Sequence, residues 1–436
     1  MEYFKRPTSQ PEVITQEIHA TVSEILRAVE KEGIAAVRRY SERLDGWNPP
    51  SFRVSTEQIA YAEARVDAAL KRHIQFAQEQ VRTFARLQKA TVTEFAHETL
   101  PGVVLGQKHL PVQAVGSYSP GGRYPLIASS IMTIVVPKVA GVQRVVAVAP
   151  PRRAEGIYPP QLYTMASSGA DEILCLGGVQ ALAALAYGIE DTPSVEPVDM
   201  IVGAGNVYVA EAKRQLFGTV GIDLLAGPTE ILIIADETAD PMLVAADLLG
   251  QAEHGPTSPA ILVTTSRAFG EATARAVDRW LETTWPTREV AGQAWRECGT
   301  ILLCESNEEM VQVANTYAPE HLEVQTRHPD WFLEHLANYG SLFLGAHATV
   351  AYGDKGIGPN HVLPTERASR YTGGLWVGKF LKTVTYQHVT PEGSRLVAPT
   401  VAAISDAELM MGHALTARLR LDQEVQAVGK EQERYS

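Results

Sequence analysis

Arg144-Val145-Val146-Ala147-Val148-Ala149 places five small or β-branched apolar residues in succession, the pattern of a strand covered on both faces. The same texture returns at Glu172-Ile173-Leu174-Cys175-Leu176, Ile231-Leu232-Ile233-Ile234 and Ala260-Ile261-Leu262-Val263. Ala- and Leu-rich amphipathic segments separate these runs, and strand, helix, strand repeats of this kind build parallel sheets covered by helices. Two such series stand in the chain, from Val112 to Ile234 and from Pro241 to Leu344. Upstream, Gln16 to Leu44 and Thr56 to Leu87 space their apolar residues helically, as in Ile18, Val22, Ile25, Leu26 and Val29. Downstream, Val401 to Arg420 returns to helix, with Leu409, His413, Leu415 and Leu419 on one face or adjoining faces, suited to packing on a partner subunit.

The expected fold class is therefore α/β: two Rossmann-like parallel-sheet domains with a helical N-terminal region and a small C-terminal helical extension. The expected division is a first α/β domain of residues 1–111 plus 235–370, a second Rossmann-like domain at 112–234, and an extension at 371–436 that contributes to a dimer partner.

Composition narrows the function classes. The 436 residues carry 38 Lys+Arg against 50 Asp+Glu, a net charge of -12, and no basic stripe offsets it, so a nucleic-acid partner is not expected. Hydrophobic residues at 45% and charged residues at 20% suit a folded globular chain rather than a disordered one. Cys175, Cys298 and Cys304 are too few and too irregularly spaced for a disulfide framework or a thiolate zinc cluster, which fits a reducing compartment. Met1 to Pro7 reaches charge and proline at once, unlike a signal peptide. The most apolar stretch, Ile131 to Val142, is interrupted by Pro137 and Lys138 and is shorter than the ~20 residues of a membrane helix, so a cytoplasmic protein with no membrane partner is expected.

Three segments could carry chemistry. Asp240 to His254 reads as a helix stopped by Gly255-Pro256, with Gln251 and His254 on one side of its last turn. The partial negative charge of that end favours a cation, although a capping amide and a packed imidazole explain the pair better when it is taken alone. Ala318-Pro319-Glu320-His321-Leu322 sets an acid beside an imidazole, able to activate water and move a proton near neutral pH; a helix N-terminus explains Pro and Glu equally well. Tyr352 to His361 gathers three glycines with Asp354, Asn360 and His361, and Asp354 supplies a hard oxygen donor that complements Gln251 and His254. Further glycine clusters stand at Ser119 to Tyr124, Gly177 to Gln180, Gly203 to Asn206 and Gly227 to Glu230, most of them beside expected strands, where parallel sheets bind nucleotides. Gly203-x-Gly205 lacks the third glycine of the dinucleotide fingerprint.

Taken together, Tyr118-x-Pro120-Gly121-Gly122, Ala226-Gly227-Pro228-Thr229-Glu230, Gly250-Gln251-Ala252-Glu253-His254-Gly255-Pro256, Pro319-Glu320-His321-Leu322 and Asn360-His361-Val362-Leu363-Pro364-Thr365 resemble the histidinol dehydrogenase family. The resemblance runs from about Gly116 to Arg420. It implies two successive NAD-dependent oxidations, alcohol to aldehyde to carboxylate, in a homodimer with shared active sites and one zinc (Zn2+) in each. By position it makes Gln251, His254, Asp354 and His413 the metal ligands, with His413 lent by the other subunit, and Glu320 and His321 the catalytic pair. His361 and Glu408 fall at substrate contacts, and Tyr118, Gln180 and Asn206 at NAD contacts.

The chain departs from the family pattern at Arg123-Tyr124 and Ala128, at Thr229 where a serine is usual, at Lys355, and at Ala204 where proline is usual. Gly122-Arg123-Tyr124, Tyr352-Gly353-Asp354-Lys355 and Tyr371-Thr372-Gly373-Gly374-Leu375 are more similar to the paralogous sulfopropanediol dehydrogenases, which oxidise 2,3-dihydroxypropane-1-sulfonate. A fixed anion calls for an added cation, and the guanidinium fork of Arg123 is the first candidate, Lys355 the second. Arg123, Thr229, Lys355, His361 and Glu408 thus form the expected substrate-binding set. L-Histidinol is the alternative substrate. A zinc hydrolase and a binding protein without catalysis are the competing classes.

Overall fold

A computed structural model describes residues 1–8, 15–122, 124–152 and 155–432. The chain forms two compact units, Met1–Lys89 with Val112–Phe380, and Ala90–Pro111 with Leu381–Ser436.

The larger unit is α/β and holds two sheets. In the first, strands Glu172–Cys175, Arg144–Ala149, Ala114–Tyr118, Met200–Val202 and Gly221–Ile222 lie side by side in that order, all parallel. The second runs Glu2–Lys5, Thr300–Leu303, Ala260–Thr264, Ile231–Ala235, His321–Gln325 and Ser341–Leu344, parallel except for the antiparallel first strand. In each parallel set the strand earliest in the chain is central, and the order reverses beside it. Such a reversal opens a crevice at the strand ends, where ligands enter α/β sheets.

Ile231–Ala235 shows why the apolar runs become central strands. Ile231 and Ile233 pack into one buried cluster with Leu248 and Leu262, while Leu232 and Ile234 pack into another with Met310 and Leu322. In a strand covered on both faces a polar residue must find a buried partner, so a strand without such partners is apolar at every position.

Three expectations need correction. All but the last residue of Ile231–Ala235 falls within the expected 112–234 domain, yet the strand is central to the second sheet, because its backbone pairs with Ala260–Thr264 and His321–Gln325. Helix Gln16–Glu32 of the N-terminal region packs on the 112–234 segment: Ile18, Val22, Ile25, Leu26 and Val29 bury against Leu182, Leu185 and Ile201, while helix Ala68–Ala90 brings Ala77 and Phe84 against Gly356 and Gly358. Residues 90–111 leave the helical region altogether. Phe95–Leu100 and Val103–Pro111 form an antiparallel sheet with Leu381–Val389, paired at all nine positions from Leu381↔Pro111 to Val389↔Val103. The 371–436 extension therefore carries a strand, and its helix is broken. Pro391–Ala407 ends as Leu409 turns left-handed (φ 60°) and Met410 donates to the Ser405 carbonyl at 2.8 Å, before Met411–Gln432 begins.

No described helix is long and apolar enough to cross a membrane. The three cysteines are buried and form no disulfide.

Truncation within the double-faced strand should be costly. Ile233→Val should cost about 0.5–1.5 kcal/mol and Ile233→Ala about 2–5 kcal/mol, giving thermal midpoints that fall in that order. A wild-type midpoint for Ile233→Ala would contradict the packing described.

Candidate active site

Helix Pro241–Ala252 starts on Asp240, whose carboxylate accepts the Met242 N–H at 2.8 Å, with Pro241 in the first turn. It begins after the carboxyl end of Ile231–Ala235 and runs back, so that Gln251 in its last turn meets His321 at the amino end of the neighbouring strand, Nε2 to Nδ1 3.4 Å. His254 follows, its N–H donating to the Gln251 carbonyl at 3.2 Å. Pro319-Glu320-His321 is the entry to a strand and not a helix N-terminus.

The Thr229 hydroxyl joins these pieces. It donates to Glu320 Oε2 at 2.5 Å and accepts from Gln251 Nε2. The Glu230 N–H donates to the same Glu320 oxygen at 3.0 Å. His321 Nδ1 lies 3.0 Å from the Glu230 carbonyl, which can only accept, so the neutral ring carries its proton on Nδ1. Its Nε2 is then the atom that takes up a proton. It is buried with no hydrogen-bond partner among the described residues, 3.4 Å from Asp354 Oδ1. Burial opposes charge on this imidazole, but Glu320 and Asp354 outweigh it and lift its pKa well above the ordinary value.

Burial likewise opposes ionisation of Asp354, yet the neighbouring His321 and His361 hold its carboxyl well below the usual range. Burial pushes His254 and His361 below theirs, favouring neutral rings. His361 Nδ1 donates to the Asp354 carbonyl at 2.9 Å, leaving Nε2 to accept from Ser129 Oγ at 3.0 Å. Among the described residues no group of three or more His, Cys, Asp or Glu is arranged to hold a metal ion. The proposed set from this unit is an amide, a neutral imidazole and an ionised carboxylate, so only two of its three members belong to those types. Its oxygen and nitrogen donors suit zinc, and the orphaned His321 Nε2 marks a polar space beside Asp354.

Of these residues Thr229, His254, Glu320 and His361 line a groove of about 1050 Å³ that draws on both sheets, while Gln251, His321 and Asp354 are buried behind that lining. Tyr118, Gly122, Gly178 and Asn206 stand at or just beyond carboxyl ends of the first sheet or begin the helices that follow, while Thr229, Glu320 and His361 come from the segments around the second. Gly203 is fixed beneath the Asn206 loop: Asp223 accepts its N–H at 2.7 Å, Lys213 donates to its carbonyl at 3.0 Å, and the two buried side chains pair with each other. A Cβ at Gly203 (φ 121°) would collide with the Tyr118 carbonyl. Asn206 caps the next helix, accepting from Tyr208 and Val209 at 3.1 Å each. Gln180 is fully buried and donates to Asp45 at 3.0 Å, so Asp45 rather than Gln180 lines the groove.

Asp45 and Glu366 were not legible as groove residues. Asp45 ends a helix with no motif around it, and Glu366 reaches the lining through a left-handed backbone (φ 53°), its carboxyl lying where a Cβ on Gly227 would be. Lys355 is exposed, 3.8 Å from Asp354 Oδ2, and absent from the lining. Glu408 and His413 belong to the second unit and are exposed there. Arg123 lies outside the described residues.

A family model described as histidinol dehydrogenase matches residues 8–421. The chain belongs to the histidinol dehydrogenase family. It is 51% identical to a histidinol dehydrogenase homolog of Shouchella clausii, covering 96% of this chain and 98% of that one. With two proteins of Ruegeria pomeroyi it shares 45% identity (sulfopropanediol 3-dehydrogenase; 97% and 96% covered) and 41% identity (histidinol dehydrogenase; 93% of each). A crystal structure of histidinol dehydrogenase from Elizabethkingia anophelis superposes with a TM-score of 0.90 at 32% identity, covering 95% of both chains. The family is one of dehydrogenases acting on alcohol groups, and the α/β fold is the one it uses.

Two predictions follow from the geometry. Thr229→Val, which keeps shape but removes the hydroxyl, should lower dehydrogenase turnover about 10- to 100-fold, since a hydrogen bond to a charged group is worth ~1.5–3 kcal/mol; Thr229→Ser should keep most of the rate. Equal losses in both would point to shape alone. Burial, reinforced by Glu320, pushes the Glu230 carboxyl up to about 8. The folded state thus holds this proton more tightly than the unfolded chain, where a glutamate titrates near ~4.3. Its stabilisation is complete below that value and is lost as pH rises through about 8. Thermal midpoints of the wild type should therefore fall relative to Glu230→Gln between about pH 4 and 8 and run parallel above that. Parallel profiles between those values would refute the assignment.

Proposed function

We propose that this protein oxidises the primary alcohol of a small polyol through an aldehyde to a carboxylate, using zinc and NAD, and that the polyol is of the 2,3-dihydroxypropane-1-sulfonate type. The observation that carries the reading is the buried Glu320–His321 pair beside Asp354 and Gln251, which supplies one base for a hydroxyl proton and another for water. Gln251, His254 and Asp354 would hold the zinc, with His413 and Glu408 supplied by a second copy of the chain in a cytoplasmic homodimer. Zinc supplies Lewis acidity toward the alcohol and aldehyde oxygens. NAD, held by the groove around Tyr118 and Asn206 with Gln180 behind its wall, supplies the hydride acceptor in each oxidation.

Within that frame the chain's own groups divide the proton work. From its neutral form His321 takes the hydroxyl proton on Nε2 as the carbon-bound hydride leaves, giving the aldehyde. Glu320, oriented by Thr229 and the Glu230 amide, takes a proton from water as its oxygen adds to the aldehyde carbon. The hydrate anion so formed then loses a second hydride and its remaining hydroxyl proton, and the carboxylate remains. Substrate retention between the two steps keeps a reactive aldehyde out of solution.

The higher identity with the sulfopropanediol 3-dehydrogenase than with the histidinol dehydrogenase of the same bacterium supports the sulfonate-bearing substrate. Among the described lining residues Arg214 is the one Lys or Arg, and Glu211 pairs with it at 2.6 Å. The cation for a sulfonate is therefore assigned to Arg123, which follows the lining turn Gly121-Gly122 in sequence, with Lys355 second.

NADH formation with dihydroxypropanesulfonate and with L-histidinol tests the substrate. Turnover of the sulfonate, with KM raised in Arg123→Met, is the expected result; turnover of histidinol alone would overturn the substrate assignment and leave the chemistry intact. In single turnovers the wild type should yield two NADH per alcohol and Glu320→Gln one. Two from that variant would remove Glu320 from the water step.

A further inference from the structure

Behind the groove lies a second polar cluster that no part of the proposed chemistry uses. Strand His321–Gln325 turns Leu322 and Val324 into an apolar cluster and His321, Glu323 and Gln325 to its other face, all of them buried. Glu323 is fully buried and faces the carboxyl of Asp247, from helix Pro241–Ala252. Gln325 donates from Nε2 to both acids, 3.0 Å to Asp247 Oδ2 and 3.2 Å to Glu323 Oε2. The remaining oxygens reach a third element. Glu323 Oε1 accepts the Val350 N–H at 3.1 Å, and Asp247 Oδ1 accepts from the Thr349 hydroxyl at 2.9 Å, together anchoring the start of helix Val350–Lys355.

The spacing of these contacts matches that of the site. Asp247 stands four residues before Gln251 and Val350 four before Asp354, each one helical turn; Glu323 stands two after His321, one strand repeat on the same face. The same three elements are therefore clamped one repeat away from where they deliver Gln251, His321 and Asp354. Two facing carboxyls, one fully buried and one half-buried, disfavour ionising together: burial, then Asp247, lifts Glu323 well above the usual range, and burial lifts Asp247 as well.

We propose that Asp247 and Glu323 are positioning residues, a hydrogen-bonded carboxyl pair that sets the register of helix Pro241–Ala252, strand His321–Gln325 and helix Val350–Lys355 and so preorganises the metal ligands. The proposal rests on the reading of Gln251 and Asp354 as ligands. A carboxamide at position 323 retains the acceptor for Val350 and places an N–H where a shared proton would lie, whereas alanine removes both.

Two measurements on the full-length chain test it: zinc affinity by competition with a chromophoric chelator, and amide exchange of helix Val350–Lys355 without zinc. Glu323→Gln should stay within about 3-fold of wild-type affinity, while Glu323→Ala should weaken zinc binding about 10- to 100-fold, as loss of groups behind metal ligands does. Exchange in that helix should quicken in Glu323→Ala and not in Glu323→Gln. Thr349→Val, a milder cut in the same network, should shift both readouts in the direction of Glu323→Ala if that variant does not fold. Wild-type zinc affinity and wild-type exchange in folded Glu323→Ala, or in Thr349→Val where it does not fold, would overturn the proposal, as would losses in Glu323→Gln equal to those in Glu323→Ala. A wild-type chain that binds no zinc would instead overturn the ligand assignment, and the exchange pattern alone would then decide the positioning role.

Discussion

A histidine removed from water between two carboxylates is the constraint on which the groove depends. His321 is 2% exposed, with Glu320 3.4 Å from Nδ1 and Asp354 3.4 Å from Nε2. In a low-dielectric setting such groups must find partners, or the cost of burying them exceeds what packing returns. The partners they find come from four separate parts of the chain: Thr229 and Glu230 before one strand, Gln251 at a helix end, Glu320 and His321 at the next strand, and Asp354 in a short helix. Pairing the charges and gathering the reactive groups are thus one event.

The two sheets divide the remaining work by offering opposite ends to the groove. The first presents the carboxyl ends of its strands and the helix starts beyond them, a surface of glycines and backbone amides suited to an extended phosphate-bearing ligand. The second presents amino ends, where Thr229 and Glu320 precede strands that run the other way with respect to the groove. Helix Pro241–Ala252 returns along its sheet, so that its last turn reaches the amino end, and Gln325 bridges its half-buried Asp247 to the buried Glu323 one turn earlier.

How readily each residue declared itself depended on whether its role was local. Glu320 beside His321 and Asp354 beside glycines stood out because chemistry and sequence spacing coincide there. Thr229 was read as a substrate contact, but its hydroxyl is engaged between Glu320 and Gln251, a bond between residues far apart in the chain. Gln180 was read as a cofactor contact, yet it is fully buried and holds Asp45, which lines the groove in its place. Asp45 and Glu366 carried no sequence signal, since one merely ends a helix and the other depends on an unusual backbone angle.

The amino-acid sequence alone determined the strand runs, the helical spacing of Ile18 to Val29 and the adjacency of Glu320 and His321, because periodicity and nearest neighbours are properties of a one-dimensional chain. Tertiary structure alone decided that Ile231–Ala235 joins the second sheet, that Val103–Pro111 pairs with Leu381–Val389, and that Gln251, His321 and Asp354 meet. Backbone pairing and the neutralisation of buried charge select partners by distance in space, and no local pattern of residues encodes that distance.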